Sequence, residues 1–172
     1  MKHRTIKELM VPISEYATVS DDATLFEAIE ALKAAQKAYD GSKYLHRAIL
    51  VLNKNKQVVG KISQLDALRA LEPLYANFQL TDSPTAFRHF TRSFLKSMLE
   101  QYRLFDKPLD DICRKAAEQR VTQFMYKPVE GEYVDENATL DEAIHLLIMG
   151  HHQSMLVTDK GKIVGVLRLT DI

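Results

Sequence analysis

Apolar and polar positions alternate along this chain in blocks that spell out secondary structure, and the blocks occur twice. Leu25, Ala28, Ile29 and Leu32 recur at helical spacing on one face. Thr24 and Glu27 precede them as a capping box: the Thr hydroxyl can accept from the backbone N–H three residues on, and the Glu reaches back. Then comes the dense apolar run Ala48–Leu52, a polar turn over 53–56, and a second run from Val58 to Ile62. Two such runs around a short polar turn predict a hairpin. A further helix is predicted from Leu65 to about Leu71. The order returns later, with the capping box Thr139 to Glu142, the runs Ser154–Val157 and Ile163–Leu167, and a polar turn between them over 158–161. Each block reads β-α-β-β-α, its first strand short, near Tyr16 to Val19 and Tyr133 to Val134.

Placing Val19–Leu32 above Val134–Leu147, an offset of 115, gives eight identities in 14 pairs, and Met10 and Met125 keep the same offset. Val59/Val164, Gly60/Gly165 and Asp66/Asp171 match at an offset of 105, so the first repeat carries ten extra residues, expected around Ala38 to Arg47. The chain ends at Ile172, where the last helix of the second repeat should begin, which predicts that the natural sequence continues. One repeat of about 50 residues buries too little surface to stand alone. The expected fold is therefore α+β, with two β-α-β-β-α repeats packed about a pseudo-two-fold axis and symmetric clefts between them. The predicted organisation is repeat 1 over 1–72, a helical insert over 73–119 and repeat 2 over 120–172.

The insert has no counterpart in either repeat. Ser83-Pro84 reads as a helix start, with Ser as N-cap and Pro at the first helical position. Phe87, Phe90, Phe94, Met98 and Tyr102 follow at three- or four-residue spacing; Asp106-Lys-Pro108 interrupts, and a shorter helix carries Leu109, Ile112, Cys113 and Ala116. Two readings stay open: a helical hairpin packed on the core, or a surface for a dimer or partner.

Composition narrows the function classes. Lys plus Arg and Asp plus Glu both number 23, and this neutral balance argues against a dedicated nucleic-acid binder. The single cysteine, Cys113, excludes an internal disulfide and points to a reducing, cytoplasmic compartment; it reads as a packing residue on a helix face. The longest apolar run, Ala48–Leu52, is far too short to span a bilayer, and no secretory signal is visible. No Gly-rich phosphate loop, nucleophile elbow or metal signature is found, so an enzyme is not expected.

The chemistry sits where each second hairpin strand hands over to a helix. Repeat 1 reads Gly60-Lys-Ile-Ser63-Gln-Leu-Asp66 and repeat 2 reads Gly165-Val-Leu-Arg168-Leu-Thr-Asp171. A strand end feeding a helix start gathers free N–H groups that attract phosphate. A hydroxyl there can donate to phosphate, and a carboxylate three residues on can accept from the cis hydroxyls of a ribose. The bland alternative is that Ser63 and Asp66 merely start a helix as N-cap and N3 acid. Arg168 replaces the hydroxyl in repeat 2, where it could fill the cleft or pair a phosphate as a fork donor.

These duplicated steps, with the Ala-Thr-Leu-x-Glu-Ala-Ile helix starts and the hairpins, resemble the cystathionine-β-synthase (CBS) domain family in its tandem form, the Bateman module. The resemblance covers about 120 residues and leaves out the insert. It departs from the family motif at Lys61, where an apolar residue is displaced by one position, and at Arg168. It implies a regulatory module that binds an adenosine-containing ligand (AMP, ADP, ATP or S-adenosylmethionine) between the repeats, requires no cofactor, forms a homodimer and acts on a regulated protein. One cleft would then combine Ser63 and Asp66 with Pro128 and Val129, the other Asp171 and Arg168 with Pro12 and Ile13. Basic residues before the second strand, His46 and Arg47, would face phosphates or form a solvated loop pair. His151-His152 takes the matching place in repeat 2; adjacent strand residues point opposite ways, so a metal site is not expected there. The competing reading is a ligand-free interaction and dimerisation module.

Overall fold

The computed structural model describes residues 4–38, 45–76 and 90–172. In repeat 1, β2 (Thr18–Ser20) lies parallel to β3 (Ala48–Leu52), and β3 is antiparallel to β4 (Val58–Ser63). Repeat 2 copies this with β5 (Tyr133–Asp135), β6 (Ser154–Asp159) and β7 (Lys162–Arg168). Between the first and second strands run α2 (Leu25–Lys37) and α6 (Leu140–Gly150). Thr24 accepts from Glu27 N at 3.3 Å while Glu27 accepts from Thr24 N at 2.7 Å, the reciprocal cap expected; Thr139 caps α6 by accepting from Glu142 N. α3 (Gln64–Arg69) follows β4, and a 3-10 turn, Leu169–Asp171, follows β7.

The strand registers refine the repeat alignment. Val51 pairs with Gly60 and Val157 with Gly165, and each ladder shifts register just beyond that pair. β3 and β6 are thus offset by 106 and β4 and β7 by 105, so one of the ten extra residues belongs to the hairpin turn. The rest precede β3, where positions 39–44 lie outside the described residues. The first strand of repeat 1 starts at Thr18, two residues later than expected. Tyr16 instead ends a 3-10 turn, Ile13–Glu15, and is buried.

Each repeat sends its leading segment across to the other. α1 (Ile6–Leu9) and β1 (Val11–Pro12) open the chain, yet β1 pairs antiparallel with β7 and completes a four-stranded sheet in the order β1-β7-β6-β5. The leader of repeat 2 does the same on β4, where Tyr126 and Lys61 exchange N–H···O bonds of 2.9 Å in both directions. Val11/Tyr126 keep the offset of 115 and Val166/Lys61 that of 105, so the exchange obeys the pseudo-two-fold axis. The cores follow suit. Ile6 is buried with Ala143, Leu147, Met155, Val157 and Leu167 of repeat 2, and Val121 with Ala28, Ile49, Val51 and Ile62 of repeat 1. Each swapped anchor is fully buried and worth about 1.5–3 kcal/mol. Leu50, Leu156, Val11, Val166 and Tyr16 fill the space between the sheets.

Between the repeats, α4 (Arg92–Gln101) and α5 (Leu109–Ala117) form the helical part of the connecting segment. The start expected at Ser83-Pro84, and Phe87, lie outside the described residues. Phe90 and Thr91 are not helical: extended Thr91 caps α4 by accepting from Phe94 N at 3.2 Å, so no single helix runs through to Tyr102. α5 buries Ile112 and Ala116, with Ala116 against Leu25 and Ala70. Cys113, one step around the helix from that face, is exposed rather than packed. Bonds that tie the segment to repeat 1 include Gln119 Nε2 to Ala70 O at 2.9 Å, Leu25 N to Gln119 O at 2.9 Å and Phe105 N to Glu72 Oε2 at 3.1 Å.

Candidate functional site

At the β4–α3 step, Ser63 is extended and serves as N-cap. Its Oγ accepts from Asp66 N at 3.2 Å, while Asp66 Oδ2 accepts from Ser63 N at 2.8 Å and Ser63 Oγ at 2.6 Å. The pair therefore performs the helix-starting role. Asp66 is also buried, 7% exposed, and among the described residues its Oδ1 faces only a long 3.5 Å contact from Arg69 Nη1. A carboxylate oxygen has two acceptor positions, so Oδ1 retains capacity for a hydroxyl donor.

Asp66 lines a cavity of about 720 Å³, a size ordinary for small-molecule sites. Repeat 1 contributes Asp66, Arg69 and Ala70; the leader of repeat 2 closes it with Phe124, Met125 and Tyr126. Lys115 and Gln119 come from the connecting segment, and Tyr75 from the turn after α3. Ser63, Pro128 and Val129 are not in this lining. The Lys61–Tyr126 pairing sets residues 125–126 beside Asp66, and Val129, exposed, opens a separate 3-10 turn.

Behind Tyr126 sits a charged cluster that the sequence reading missed. Lys61 Nζ lies 3.1 Å from Glu132 Oε2 and 5.2 Å from the centre of the Tyr126 ring, and His152 Nδ1 lies 3.5 Å from Glu132 Oε1. Glu132 is only 4% exposed. Burial, then the hydrogen bond to Glu132, pushes the Tyr126 hydroxyl up to about 12, so it stays protonated as a donor. No local signal announced it: Lys61 alternates with buried Gly60 and Ile62 along β4 and so reads as the outward face of the strand.

The second step differs. Arg168, 8% exposed, turns its guanidinium onto Asp171, with Nε 3.0 and 2.9 Å from the two carboxylate oxygens and Nη2 closer still to Oδ1. Asp171 Oδ2 also accepts from Arg168 N at 2.9 Å. The two roles expected of Arg168 were filling the cleft or pairing a phosphate; the structure shows a third, in which its guanidinium pairs the neighbouring Asp171. Tyr16 and His46 stand in the same field, their rings 4.5 Å apart. Burial pushes Tyr16 up to about 12; burial, and then the Arg168 charge, hold His46 below its usual value. His46 is fully buried, whereas Arg47 is exposed. Pro12 lies in β1 opposite Gly165, and Ile13 packs against the cluster between the sheets.

With β3 and β6 offset by 106, His46 matches His152, not His151. α6 extends through Gly150, and His151 ends it in a left-handed conformation with φ 52°, so it does not begin a strand. Among the described residues there is no group of three His, Cys, Asp or Glu suited to a metal ion, and no helix long and apolar enough to cross a membrane.

A family model described as "CBS domain" matches residues 6–73 and 121–172. No curated protein matches the sequence. Among solved structures, the CBS domain of a CBS-domain-containing membrane protein from Sphaerobacter thermophilus is 16% identical over 99% of this chain and 86% of that one, with a TM-score of 0.62. CBSX2 in complex with AMP is 21% identical over 97% and 92%, with a TM-score of 0.58. Protein MJ1004 from Methanocaldococcus jannaschii is 18% identical with a TM-score of 0.56; the match takes in 98% of this chain but spans 57% of that one. At these identities the structural likeness shows the fold.

Proposed function

The chain belongs to the CBS domain family, and from that premise we propose that this tandem-repeat regulatory module binds an adenosine-containing ligand (AMP, ADP, ATP or S-adenosylmethionine) in the repeat 1 cavity, one per chain. The observation that carries the reading is Asp66, a buried carboxylate in the wall of a 720 Å³ cavity that the leader of the opposite repeat closes. Asp66 Oδ1 accepts from a ribose hydroxyl, and the base lies against Met125 and the aromatic rings. The AMP complex of CBSX2 supports the ligand class. The second cleft is closed by its own arginine. Asp171 is already saturated by Arg168, and the place of the phosphate-binding hydroxyl is taken.

Because the cavity joins repeat 1 to the leader of repeat 2, occupancy biases the packing of the repeats by the difference in ligand affinity between two arrangements. We place the module in a cytoplasm, as a homodimer acting on a separate regulated protein, without catalysis of its own.

Isothermal titration of the four ligands into stripped protein tests the reading, with Asp66→Asn as the variant. That substitution keeps an acceptor for the helix cap but removes the charge. Binding by the wild type that weakens at least about tenfold in the variant, a change of ~1.4 kcal/mol, supports the site. No heat with any of the four would overturn it. The second reading, an interaction module, is favoured by α4, which buries none of its residues and leaves Phe94, Leu95 and Leu99 exposed.

A further inference from the structure

The connecting helices contribute to the cavity itself. α5 is fixed against repeat 1 by Ala116 packing on Leu25 and Ala70, and by the Gln119–Ala70 bond. Tyr75, whose ring meets Phe105 at 6.1 Å, is held from the same side, as Phe105 N also bonds Glu72. The cavity thus has a third wall, outside both segments that the family model matches. That wall brings a charge. Arg69 and Lys115 face one carboxylate, Asp66, in the lining, and Asp66 is already in contact with Arg69. Among the described residues of the lining, Lys115, exposed on the last turn of α5, is the cation left to meet an incoming anion.

We propose that Lys115 makes the cavity selective for adenosine 5′-phosphates, with affinity rising as the phosphate chain lengthens, and disfavours the sulfonium cation of S-adenosylmethionine. This rests on the adenosine reading of the same site. A point charge on a flexible stem suits a phosphate chain, because it reads charge rather than shape. Arg69 shares the phosphate on its way past α3, and the Gln119–Ala70 bond fixes the end of α5 that carries Lys115.

The test titrates adenosine, AMP, ADP, ATP and S-adenosylmethionine into the full chain and into Lys115→Gln and Lys115→Glu, at low and physiological salt. Lys115 is exposed on α5, and a thermal melt of each variant checks the fold. The expected result is that ATP binds the wild type more tightly than AMP and far more tightly than S-adenosylmethionine. Lys115→Gln should weaken ATP by ~3- to 5-fold, the scale of one exposed ion pair. Lys115→Glu should weaken it by ~10-fold or more, through like-charge repulsion. Both losses should shrink at higher salt, and adenosine should be indifferent to either variant. ATP binding that is lost in Asp66→Asn but unchanged in Lys115→Glu overturns this inference and leaves the adenosine reading standing. S-adenosylmethionine binding more tightly than ATP does the same. No binding of any compound to the wild type overturns both.

Discussion

Adding one methyl group at each of the two matched glycines should have unequal effects. Gly60 and Gly165 sit where the leaders cross the opposite sheets. Neither lies in the left-handed region, since Gly161 is the glycine with positive φ among the described residues; the constraint is close approach. A Cβ on Gly165 would fall 2.7 Å from Met10 Sδ and 2.8 Å from the Val11 carbonyl oxygen. On Gly60 it would fall 2.6 Å from Met125 Sδ but 3.1 Å from the Tyr126 carbonyl oxygen. A methionine end swings away cheaply, whereas a backbone carbonyl held in the β1–β7 ladder does not. Overpacking of this kind costs about 1–3 kcal/mol, and replacing strand glycine returns about 0.5–1 kcal/mol of chain entropy. Gly165→Ala should therefore lose ~1–2 kcal/mol, and Gly60→Ala under ~1 kcal/mol. Urea titration followed by circular dichroism measures both, and in a melt Gly165→Ala should drop by about 2–4 °C per kcal/mol at this chain length. Shortening the methionine adds a second check. Met125→Ala should relieve Gly60→Ala in a double-mutant cycle, whereas Met10→Ala should leave most of the Gly165→Ala penalty in place. Gly165→Ala as stable as wild type, or Gly60→Ala the worse of the two, would refute the argument that the crossing backbones set the packing.

Two further outcomes follow from the second cleft. Arg168→Ser supplies a hydroxyl and releases Asp171; titration with the tightest nucleotide should rise from one site per chain to two, at a stability cost of about 3–5 kcal/mol for breaking a buried pair, and a stoichiometry that stays at one refutes self-closure. Burial, and then the Arg168 charge, hold His46 below its ordinary value of 6.5. The unfolded chain therefore takes up its proton first, and stability, full above about pH 6.5, should fall as pH drops towards the folded value. His46→Phe, which keeps a ring against Tyr16, should flatten that part of the pH–stability curve measured by urea titration; an unchanged slope removes His46 as its source.

The architecture was legible because each signal was local and appeared twice: Thr24–Glu27 and Thr139–Glu142 announce helices, and the paired apolar runs announce hairpins. The exchange of leaders was implied by the family resemblance alone, because Val11, Pro12 and Tyr126 carry no mark of which sheet they join; the structure seats them through the ladder bonds and the anchors Ile6 and Val121. The site was half legible. Ser63, Asp66 and Asp171 stand at the motif positions, and the structure shows why their spacing also suits a helix cap. The contribution of Lys115, 49 residues from Asp66, depends on how α5 docks, through Ala116 and Gln119, and no periodicity reports that. The Lys61–Glu132–His152 cluster escaped for a related reason: its members meet across the repeat boundary, and each alone reads as a surface charge.

The traded leaders make each half depend on the other. A chain holding a single repeat and its leader would find the groove beside its last strand empty and its own leader without a sheet, and a second molecule would answer both needs at once. Duplication with retention of that embrace turns an intermolecular exchange into an intramolecular one at far higher effective concentration. Within one chain the two halves need not be identical, and here one carries Ser63 where the other carries Arg168. The two halves, produced as separate polypeptides, should still find each other.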